Sequence, residues 1–344
     1  MKYEEVKVSV VCGTYNRAKM VKKMVLGAWN QSLRPFEIVV SDDCSTDETL
    51  EVLESLRTEV PILKIVKNTS NSGGVPNWNR AIDSCSGDII AWCSDDDVFE
   101  PEHLERSVKR LMSDGSIGLV HASFINVEEF SDQPVKLERS NLKSNDEIII
   151  DRRTMIPYMK ANYNWPFHPS TLVFRREVWE KTGNFDSSFA LADTAWFIKV
   201  GLKFRICYLP KYSVRNTRHI GNWSNDVGSV EMQKEFMVAI QSFASLLESQ
   251  KLPELNVRRQ LDSWKRTYHT YLLRIFISRS RAGSFEVAMN AAKALYDSIK
   301  CLNCLPFDGY QFAMKFIYLL LNKVQWILPG SKAKYSRLGK SSPK

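Results

Sequence analysis

The sequence predicts an α/β fold in which a mostly parallel β-sheet is flanked by helices and followed by a helical C-terminal appendage. Two observations carry this prediction. Over the first 130 residues, short apolar runs alternate with segments whose apolar residues recur at helical spacing, a pattern typical of βαβ units with right-handed crossovers. Three of the apolar runs end in the polar loops GTYNR, SDDCSTD and SDDD, which we expect to share the carboxyl edge of the sheet.

The elements follow in chain order. Strands are expected at residues 6–12, 37–41, 62–66, 88–93 and 117–124, and helices at residues 21–29, 48–56, 76–84 and 102–112. After a polar, irregular stretch, a helix is expected at 151–160, a strand at 171–174, helices at 176–181 and 195–202, and a strand at 205–209. From residue 231 onward the pattern is helical. We therefore divide the chain into residues 1–125, 126–230 and 231–344.

Composition places the chain among globular proteins. Its 344 residues are 44% hydrophobic and 25% charged, so the chain is long enough to bury a core. The seven cysteines are an odd number and several lie in strand-like runs, which favours reduced thiols in a cytosol-like compartment. We expect neither a secretory leader nor a membrane span, because the start lacks a charged-then-apolar pattern and no apolar run reaches about 20 residues.

Positive charge is concentrated at the C-terminal end. Residues 231–344 hold 18 Lys and Arg against 8 Asp and Glu, a net charge of +10, whereas residues 1–230 have a net charge of −2. Within this region, QFAMKFIYLLLNKVQWIL at residues 311–328 is apolar except for a narrow helical stripe, and the basic SKAKYSRLGKSSPK follows it. Such a helix either packs on protein or lies at an anionic membrane surface. A nucleic-acid partner is not expected, since the tail carries no recognised binding motif.

Three consecutive carboxylates, Asp95, Asp96 and Asp97, end the apolar run IIAWC and precede a helix with Pro101 near its start. Crowded carboxylates repel one another, and a divalent cation offsets that repulsion with the oxygen ligands that Mg²⁺ and Mn²⁺ prefer. The alternative is a solvated acidic turn in which one aspartate caps the helix. The position at a strand end keeps the metal hypothesis open beside the simpler one.

Two further loops lie at strand ends. Asp43 follows the strand EIVVS, and its carboxylate could accept the imide N–H of a pyrimidine base. Tyr15, in GTYNR, could stack on a base, while nearby backbone N–H groups could face phosphate. Asn79 belongs to the loop N-x-G-G-x-x-N-x-N, whose glycines would let a ligand approach the backbone closely. An ordinary loop explains this last pattern equally well.

Carboxylate and imidazole groups further along the chain could carry the chemistry. Asp193, in FALADTAWFIKV, is either a helix cap or a general base in a cleft. His168 precedes a strand, and a lone histidine is more often structural. His219 lies beside two arginines in VRNTRHIGNWS and could meet a phosphate.

Together these motifs resemble the family 2 inverting glycosyltransferases of the bacterial surface-polysaccharide type, which have a GT-A fold with a Rossmann-like sheet. The resemblance covers about residues 5–225 and rests on VSVVCGTYNR, EIVVSDDCSTDETL, GDIIAWCSDDDVFEPEHLE and HPSTLVFRREVWEKTGNFD, in that order. The chain departs from the common pattern where Ser94 opens the acidic motif and Ala192 precedes Asp193. It also departs where Trp78 replaces an arginine and where Cys12 and Gly13 replace an apolar residue and a proline.

The resemblance implies a role for each candidate residue. Residues 1–125 would bind the nucleotide sugar through Thr14, Tyr15, Asn16, Asp43, Asn79 and Asp95. Asp96 and Asp97 would hold Mn²⁺ or Mg²⁺. Residues 126–230 would bind the acceptor and supply the catalytic base, Asp193. His168, Trp196 and His219 would contact the acceptor or a phosphate.

The implied reaction is metal-assisted transfer of a sugar, with inversion, from a nucleotide-diphosphate sugar to a glycan hydroxyl, which we expect to belong to a lipid-linked saccharide. The enzyme would be peripheral on the cytoplasmic face of the membrane. One alternative is nucleotidyl transfer, although GTYNR lacks the glycine-rich basic loop that this reaction would need. The other is an inactive sugar-nucleotide-binding subunit of a polysaccharide assembly complex. Retention of Asp193 together with the acidic triplet argues against the latter.

Overall fold

The computed structural model describes residues 5–128, 144–161, 167–188, 191–219 and 222. Nine strands lie in these ranges: β1 Val8–Thr14, β2 Glu37–Asp42, β3 Leu63–Lys67, β4 Ile89–Trp92, β5 Val98–Phe99, β6 Ile117–Glu128, β7 Ile148–Ile150, β8 Val173–Arg175 and β9 Arg205–Arg218. Seven α-helices accompany them: α1 Ala18–Trp29, α2 Thr49–Leu56, α3 Gly74–Asp83, α4 His103–Ser113, α5 Met155–Ala161, α6 Arg176–Thr182 and α7 Ala192–Lys203.

All nine strands form one sheet, in the order β3-β2-β1-β4-β8-β6-β9-β5, with β7 paired to β9. The α/β fold class, with parallel core strands flanked by helices, is confirmed. The expectation of a mostly parallel sheet needs a correction, however. Four strand pairs among the described residues are parallel and four are antiparallel, because β8 inserts antiparallel between β4 and β6 and because β5 and β7 both pair antiparallel with β9.

The first half of the sheet follows from its sequence. Every residue of β1 is buried, since helices cover the strand on both faces and such strands read as continuous apolar runs. The helices bury one face each, as α1 does with Val21, Met24, Val25 and Ala28. Leaving β1, the chain builds β2 and β3 on one side and then places β4 on the other. That reversal creates a crevice at the carboxyl ends of β1 and β4.

The second half departs from the expected elements. Strands β5 and β7 are two and three residues long, too short to show a periodicity in the sequence. Strand β9 runs to Arg218, well beyond the predicted end at residue 209, because Pro210 and Lys211 have the composition of a loop. A register irregularity against β6 near Ser123 absorbs them. This extension carries the chain on to the carboxyl edge of the sheet.

The boundary that we placed between residues 125 and 126 falls inside β6, which pairs with β9 along most of its length. Both parts of the described chain therefore share one sheet. The expected region 231–344, with its apolar helix and basic end, lies outside the described residues. None of the helices that the structure describes is long and apolar enough to cross a bilayer. The five cysteines in the described ranges have free thiols.

Candidate active site

The candidate site lies where strand order reverses, at the carboxyl ends of β1 and β4. Such a crevice is the usual ligand site of open α/β sheets. Thr14 ends β1, and its hydroxyl donates to Asp95 Oδ2 at 2.8 Å across the crevice. The backbone N–H of Asp43, after β2, donates to the carbonyl of Thr14 at 3.0 Å. The three polar strand-end loops therefore meet at one edge, as predicted.

Asp95 and Asp96 share a single cation. Nη1 of Arg17 lies 3.1 Å from Asp95 Oδ1 and 2.7 Å from Asp96 Oδ2. Burial raises the pKa of Asp95 to about 6, and the guanidinium of Arg17 opposes that rise. Arg17 thus offsets part of the repulsion that the sequence predicts for adjacent carboxylates.

Asp96 also meets the end of β9. Its Oδ2 lies 3.0 Å from Nε2 of His219 and 3.4 Å from the amide nitrogen of Asn222. The unexpected length of β9 brings His219 here, 123 residues along the chain from Asp96. The Asp96 carboxylate and the His219 imidazole are therefore within hydrogen-bonding distance of each other.

Asp97 has different hydrogen-bond partners from Asp96 and is only 1% exposed. Its two oxygens accept hydrogen bonds from the hydroxyl of Ser170 and, at 3.1 Å, from the backbone N–H of Thr217. His168 Nδ1 lies 3.4 Å from the same carboxylate. Asp97 therefore ties β4 to β9 and to the 3₁₀ turn Pro169–Thr171. This placement favours a structural role for Asp97 over the predicted metal contact.

The residues present fit a divalent cation. The guanidinium nitrogen of Arg17 already occupies a cation position between Asp95 and Asp96. His219 adds a nitrogen donor beside Asp96. Within the part of the chain that the structure describes, no three His, Cys, Asp or Glu side chains form a complete metal cage. Mg²⁺ and its analogues need only one or two carboxylates when substrate phosphates and water complete the coordination sphere.

Asp43 holds the loop that enters α3. Its carboxylate accepts the backbone N–H groups of Ser72 and Gly73 and the side-chain amide of Asn68, at 2.7 to 3.0 Å. Burial alone would raise the pKa of Asp43, but these hydrogen bonds outweigh it and hold the pKa below its usual value. The predicted contact with a nucleotide base stays a prediction, because these oxygens already have partners in the loop.

The loop after β1 contains two exposed residues, Tyr15 and Asn16. Tyr15 is 43% exposed, so its ring is free to line a ligand pocket. Asn16 adopts a left-handed backbone, φ 53°, which asparagine tolerates better than most residues. Its side-chain oxygen accepts the backbone N–H of Thr46 at 2.7 Å. Asn16 thereby fixes the β1 loop against the β2 loop.

Asn79 and Trp196 hold the segment that leads to Asp193. The amide of Asn79 donates to the carbonyl of Phe185 at 2.9 Å and accepts its N–H at 3.0 Å. Trp196 is 1% exposed, and its indole N–H donates to the carbonyl of Gly183 at 3.0 Å. Both polar groups are thus used inside the protein. Their predicted contacts with donor or acceptor are not favoured by these positions.

Asp193 lies in the first turn of α7 and is half-buried. Leu191, not Asp193, occupies the N-cap position and makes no side-chain cap. The Asp193 carboxylate instead accepts the backbone N–H of Thr194 at 2.7 Å. Burial raises its pKa to about 6, which places the carboxylate near the range where a general base works best at neutral pH.

The family described as Glycosyl transferase family 2 matches residues 9–184, more than half of the chain. The chain belongs to that family. It is a glycosyltransferase, and the acidic triplet and the three strand-end loops lie within the matched residues.

Curated relatives agree with the assignment. The uncharacterized glycosyltransferase YwdF of Bacillus subtilis is 28% identical over 211 residues, which cover 60% of this chain and 73% of YwdF. The GalNAc(5)-diNAcBac-PP-undecaprenol beta-1,3-glucosyltransferase of Campylobacter jejuni is 32% identical over 117 residues, 33% of this chain and 36% of that enzyme. The chain thus spans only about a third of the latter's length, and its substrates are a matter for proposal.

Solved structures share the fold. Staphylococcus aureus TarS 1-349 in complex with UDP-GlcNAc has a TM-score of 0.62 at 21% identity, covering 93% of this chain and 90% of that one. The mannosyltransferase PcManGT from Pyrobaculum calidifontis, in complex with GDP-Man and Mn²⁺, has a TM-score of 0.53 at 18% identity, covering 94% and 88%. At these identities the likeness establishes the GT-A fold of this family 2 glycosyltransferase.

Several residues that build the site were not among the predicted site residues. Arg17 stood in the quoted motif GTYNR, and a basic residue between two acidic strand-end loops was a usable signal. Ser170 and Thr217, which hold Asp97, gave no signal, since one lies in a short turn and the other in the unforeseen part of β9. Asn222 reaches Asp96 only through the same extension.

Gly13 and Trp78, two departures from the common family pattern, are in contact. A Cβ at Gly13 would lie 2.7 Å from Trp78 Cδ1 and 2.9 Å from Asn77 Nδ2. The absent side chain at Gly13 therefore makes room for the indole at residue 78. Trp78 in turn packs against Trp92 and Phe185, with ring centroids 5.1 and 6.4 Å away.

We expect Gly13→Ala to destabilise this glycosyltransferase by about 1–3 kcal/mol, the usual cost of overpacking a filled interior. Gly115→Ala is the matched control, because nothing lies within 4 Å of a Cβ at that position. Chemical denaturation of both variants measures the difference in unfolding free energy. Equal stability of the two variants would show that Trp78 moves aside without cost.

Proposed function

We propose that this glycosyltransferase moves a sugar, with inversion, from a nucleotide-diphosphate sugar to a glycan hydroxyl, assisted by a divalent cation. The observation that carries the proposal is the meeting of Asp95, Asp96 and His219 at the switch point of the sheet, in a chain that also supplies a carboxylate of raised pKa at Asp193. Structures that share the fold bind UDP-GlcNAc or GDP-Man with Mn²⁺, which supports a nucleotide-sugar donor.

Donor binding is assigned to the carboxyl edge of β1, β2 and β4. The exposed ring of Tyr15 would flank the base, and Asp43 would meet its imide edge after exchanging one of its loop hydrogen bonds. Asp95, already bonded to Thr14, would accept from a ribose hydroxyl. The N-terminus of α1 lies beside these groups and favours the negative charge of a diphosphate.

Asp96 and His219 would hold the divalent cation, and Asn222 would support Asp96. When bound, Mn²⁺ or Mg²⁺ would stabilise the negative charge that develops on the leaving diphosphate. Asp97 would keep Asp96 in place by tying β4 to β9. This assignment replaces the predicted Asp96–Asp97 pair by one carboxylate and one imidazole.

Asp193 would act as the general base. Its carboxylate removes a proton from the acceptor hydroxyl, and the oxygen then attacks the anomeric carbon on the face opposite the leaving diphosphate. One C–O bond forms, the bond to the diphosphate breaks, and the configuration inverts. The hydrogen bond from the Thr194 N–H orients the carboxylate without protonating it. His168 and Arg218, near the acidic triplet, are candidate contacts for the acceptor.

A thermal-shift panel tests this function. UDP, GDP and several UDP-sugars and GDP-sugars are each added to the full chain, in Mn²⁺ and in EDTA, and the melting temperature is measured. A ligand that binds only the folded state raises the melting temperature. We expect a rise with at least one nucleotide sugar in Mn²⁺ and a much smaller rise in EDTA. No shift with any nucleotide sugar in Mn²⁺ would contradict the proposal.

The acceptor is proposed to be a lipid-linked saccharide, reached at the cytoplasmic face of an anionic membrane. The Campylobacter jejuni relative carries an undecaprenol-linked saccharide in its name, and residues 231–344 have a net charge of +10. Each basic residue near an anionic surface contributes about 1 kcal/mol to binding.

We expect the full chain to float with anionic liposomes. Replacing four tail residues by glutamate should lower its affinity for these liposomes at least tenfold. The four residues are Lys332, Lys334, Arg337 and Lys340. The control replaces three exposed lysines of α1 by glutamate, namely Lys19, Lys22 and Lys23. Equal flotation of all three proteins would refute a membrane role of the basic tail.

A further inference from the structure

Arg17 makes a contact that the proposed function leaves unexplained. It lies at the N-cap position of α1, and its Nη1 bridges Asp95 Oδ1 and Asp96 Oδ2 at 3.1 and 2.7 Å. The side chain is 28% exposed, so it has room to leave. The guanidinium therefore contacts Asp96, the carboxylate that the proposed metal site also uses.

Arg17 and a bound metal ion would both need the same oxygen atom, Asp96 Oδ2. Asp96 Oδ2 accepts from Arg17 and faces Nε2 of His219 at 3.0 Å. A cation bound between Asp96 and His219 would need the same oxygen. Since like charges at such distances repel strongly in a partly buried site, a divalent ion and the guanidinium would not share this oxygen. One would displace the other.

We propose that Arg17 is a displaceable counter-cation: it neutralises Asp95 and Asp96 in the metal-free enzyme, leaves them when the divalent ion binds, and then binds the donor diphosphate. This inference rests on the proposed function. The freed guanidinium starts from beside the acidic pair at the N-terminus of α1, and its planar fork matches phosphate oxygens. Metal binding would thus be coupled to the assembly of the diphosphate site.

Arg17→Gln separates the two roles of Arg17 because we expect it to change the affinity for Mn²⁺ and the affinity for the nucleotide in opposite directions. We expect this variant to bind Mn²⁺ alone about tenfold more tightly than wild type, since a competing cation is gone. With Mn²⁺ saturating, we expect it to bind UDP or GDP about tenfold more weakly, since a phosphate ligand is gone. Calorimetry on the full chain measures both affinities. A loss of both affinities, or no change in either, would overturn the proposal.

Arg17→Lys distinguishes displacement of the guanidinium by the metal ion from simple repulsion between the two charges. It also replaces the glutamine variant in this test if that variant does not fold. Lysine keeps the charge, but its single ammonium group does not reproduce the planar fork. Displacement predicts tighter Mn²⁺ binding in this variant as well, whereas repulsion alone predicts wild-type affinity. Arg110→Gln is the control, because Arg110 has a 2.7 Å ion pair with Glu147 and 22% exposure. We expect it to change neither affinity.

The outcomes also separate this inference from the proposed function. A wild-type chain that binds neither Mn²⁺ nor UDP or GDP refutes the metal-assisted function, and the displacement falls with it. A wild-type chain that binds both, beside an Arg17→Gln variant with unaltered affinities, refutes the displacement alone.

Discussion

Replacing Asp193 by asparagine is expected to lower the rate of sugar transfer by a factor on the order of 10²–10⁴ while fold and donor binding persist. The amide is the same size, and its oxygen still accepts the Thr194 N–H that Asp193 accepts at 2.7 Å. It does not take up a proton at neutral pH, so only the proposed base function is lost. Turnover of a responsive donor and acceptor measures the effect, beside melting temperature and donor affinity.

Asp186→Asn is the matched control for this substitution. Asp186 precedes Asp193 by seven residues, and its carboxylate likewise accepts a backbone N–H, that of Ser188 at 2.9 Å. Hydrogen bonds from Ser188 lower its pKa, so it is unsuited to act as a base near neutral pH. We expect Asp186→Asn to transfer sugar at nearly the wild-type rate.

The pH dependence provides a second readout of the same prediction. Burial raises the pKa of Asp193 to about 6, and the base works only when ionised. The wild-type rate should therefore fall as the pH drops through about 6 and level off above it. If Asp193→Asn retains a normal rate, Asp193 is structural. The base would then be sought first at His168, whose pKa burial lowers to about 4, so that it is neutral at pH 7.

Replacing Asp96 by asparagine is expected to lower the affinity for UDP or GDP in Mn²⁺ at least tenfold, to the level that wild type shows in EDTA. A neutral amide is a much weaker ligand than a carboxylate for a hard cation, and even residues that merely support metal ligands typically cost 10–100-fold when changed. In EDTA the variant and the wild type should bind alike. Calorimetry with each nucleotide, in Mn²⁺ and in EDTA, tests this.

Asp114→Asn is the control for the Asp96 substitution. Asp114 follows α4 and lies at the amino edge of the sheet, where it binds Ser116 and Arg205. We expect it to leave nucleotide affinity unchanged. Equal affinity of wild type and Asp96→Asn in both media would end the metal role of Asp96. An equal loss of affinity in Mn²⁺ and in EDTA would show instead that Asp96 binds the nucleotide directly.

The pattern of apolar and polar residues alone predicts the first half of the sheet and the place of the site. Continuous apolar runs predict buried parallel strands because both of their faces are covered, and β1, β2 and β4 formed within two residues of the expected bounds. The polar loops at their ends had to meet, because parallel strands end at the same edge. Thr14, Asp43 and Asp95 accordingly lie together.

Which polar atom faces which partner depends on the packing of the strands and is not readable from the local pattern. Three adjacent aspartates look alike in a sequence, yet Asp97 turns inward to Ser170 while Asp96 meets Arg17 and His219. These contacts join residues 73 to 123 positions apart, and those of Ser170 and His219 depend on the antiparallel insertion of β8 and the bulged extension of β9. Local periodicity reports which face of an element is buried. It carries no information about long-range register, and register places His219 beside Asp96.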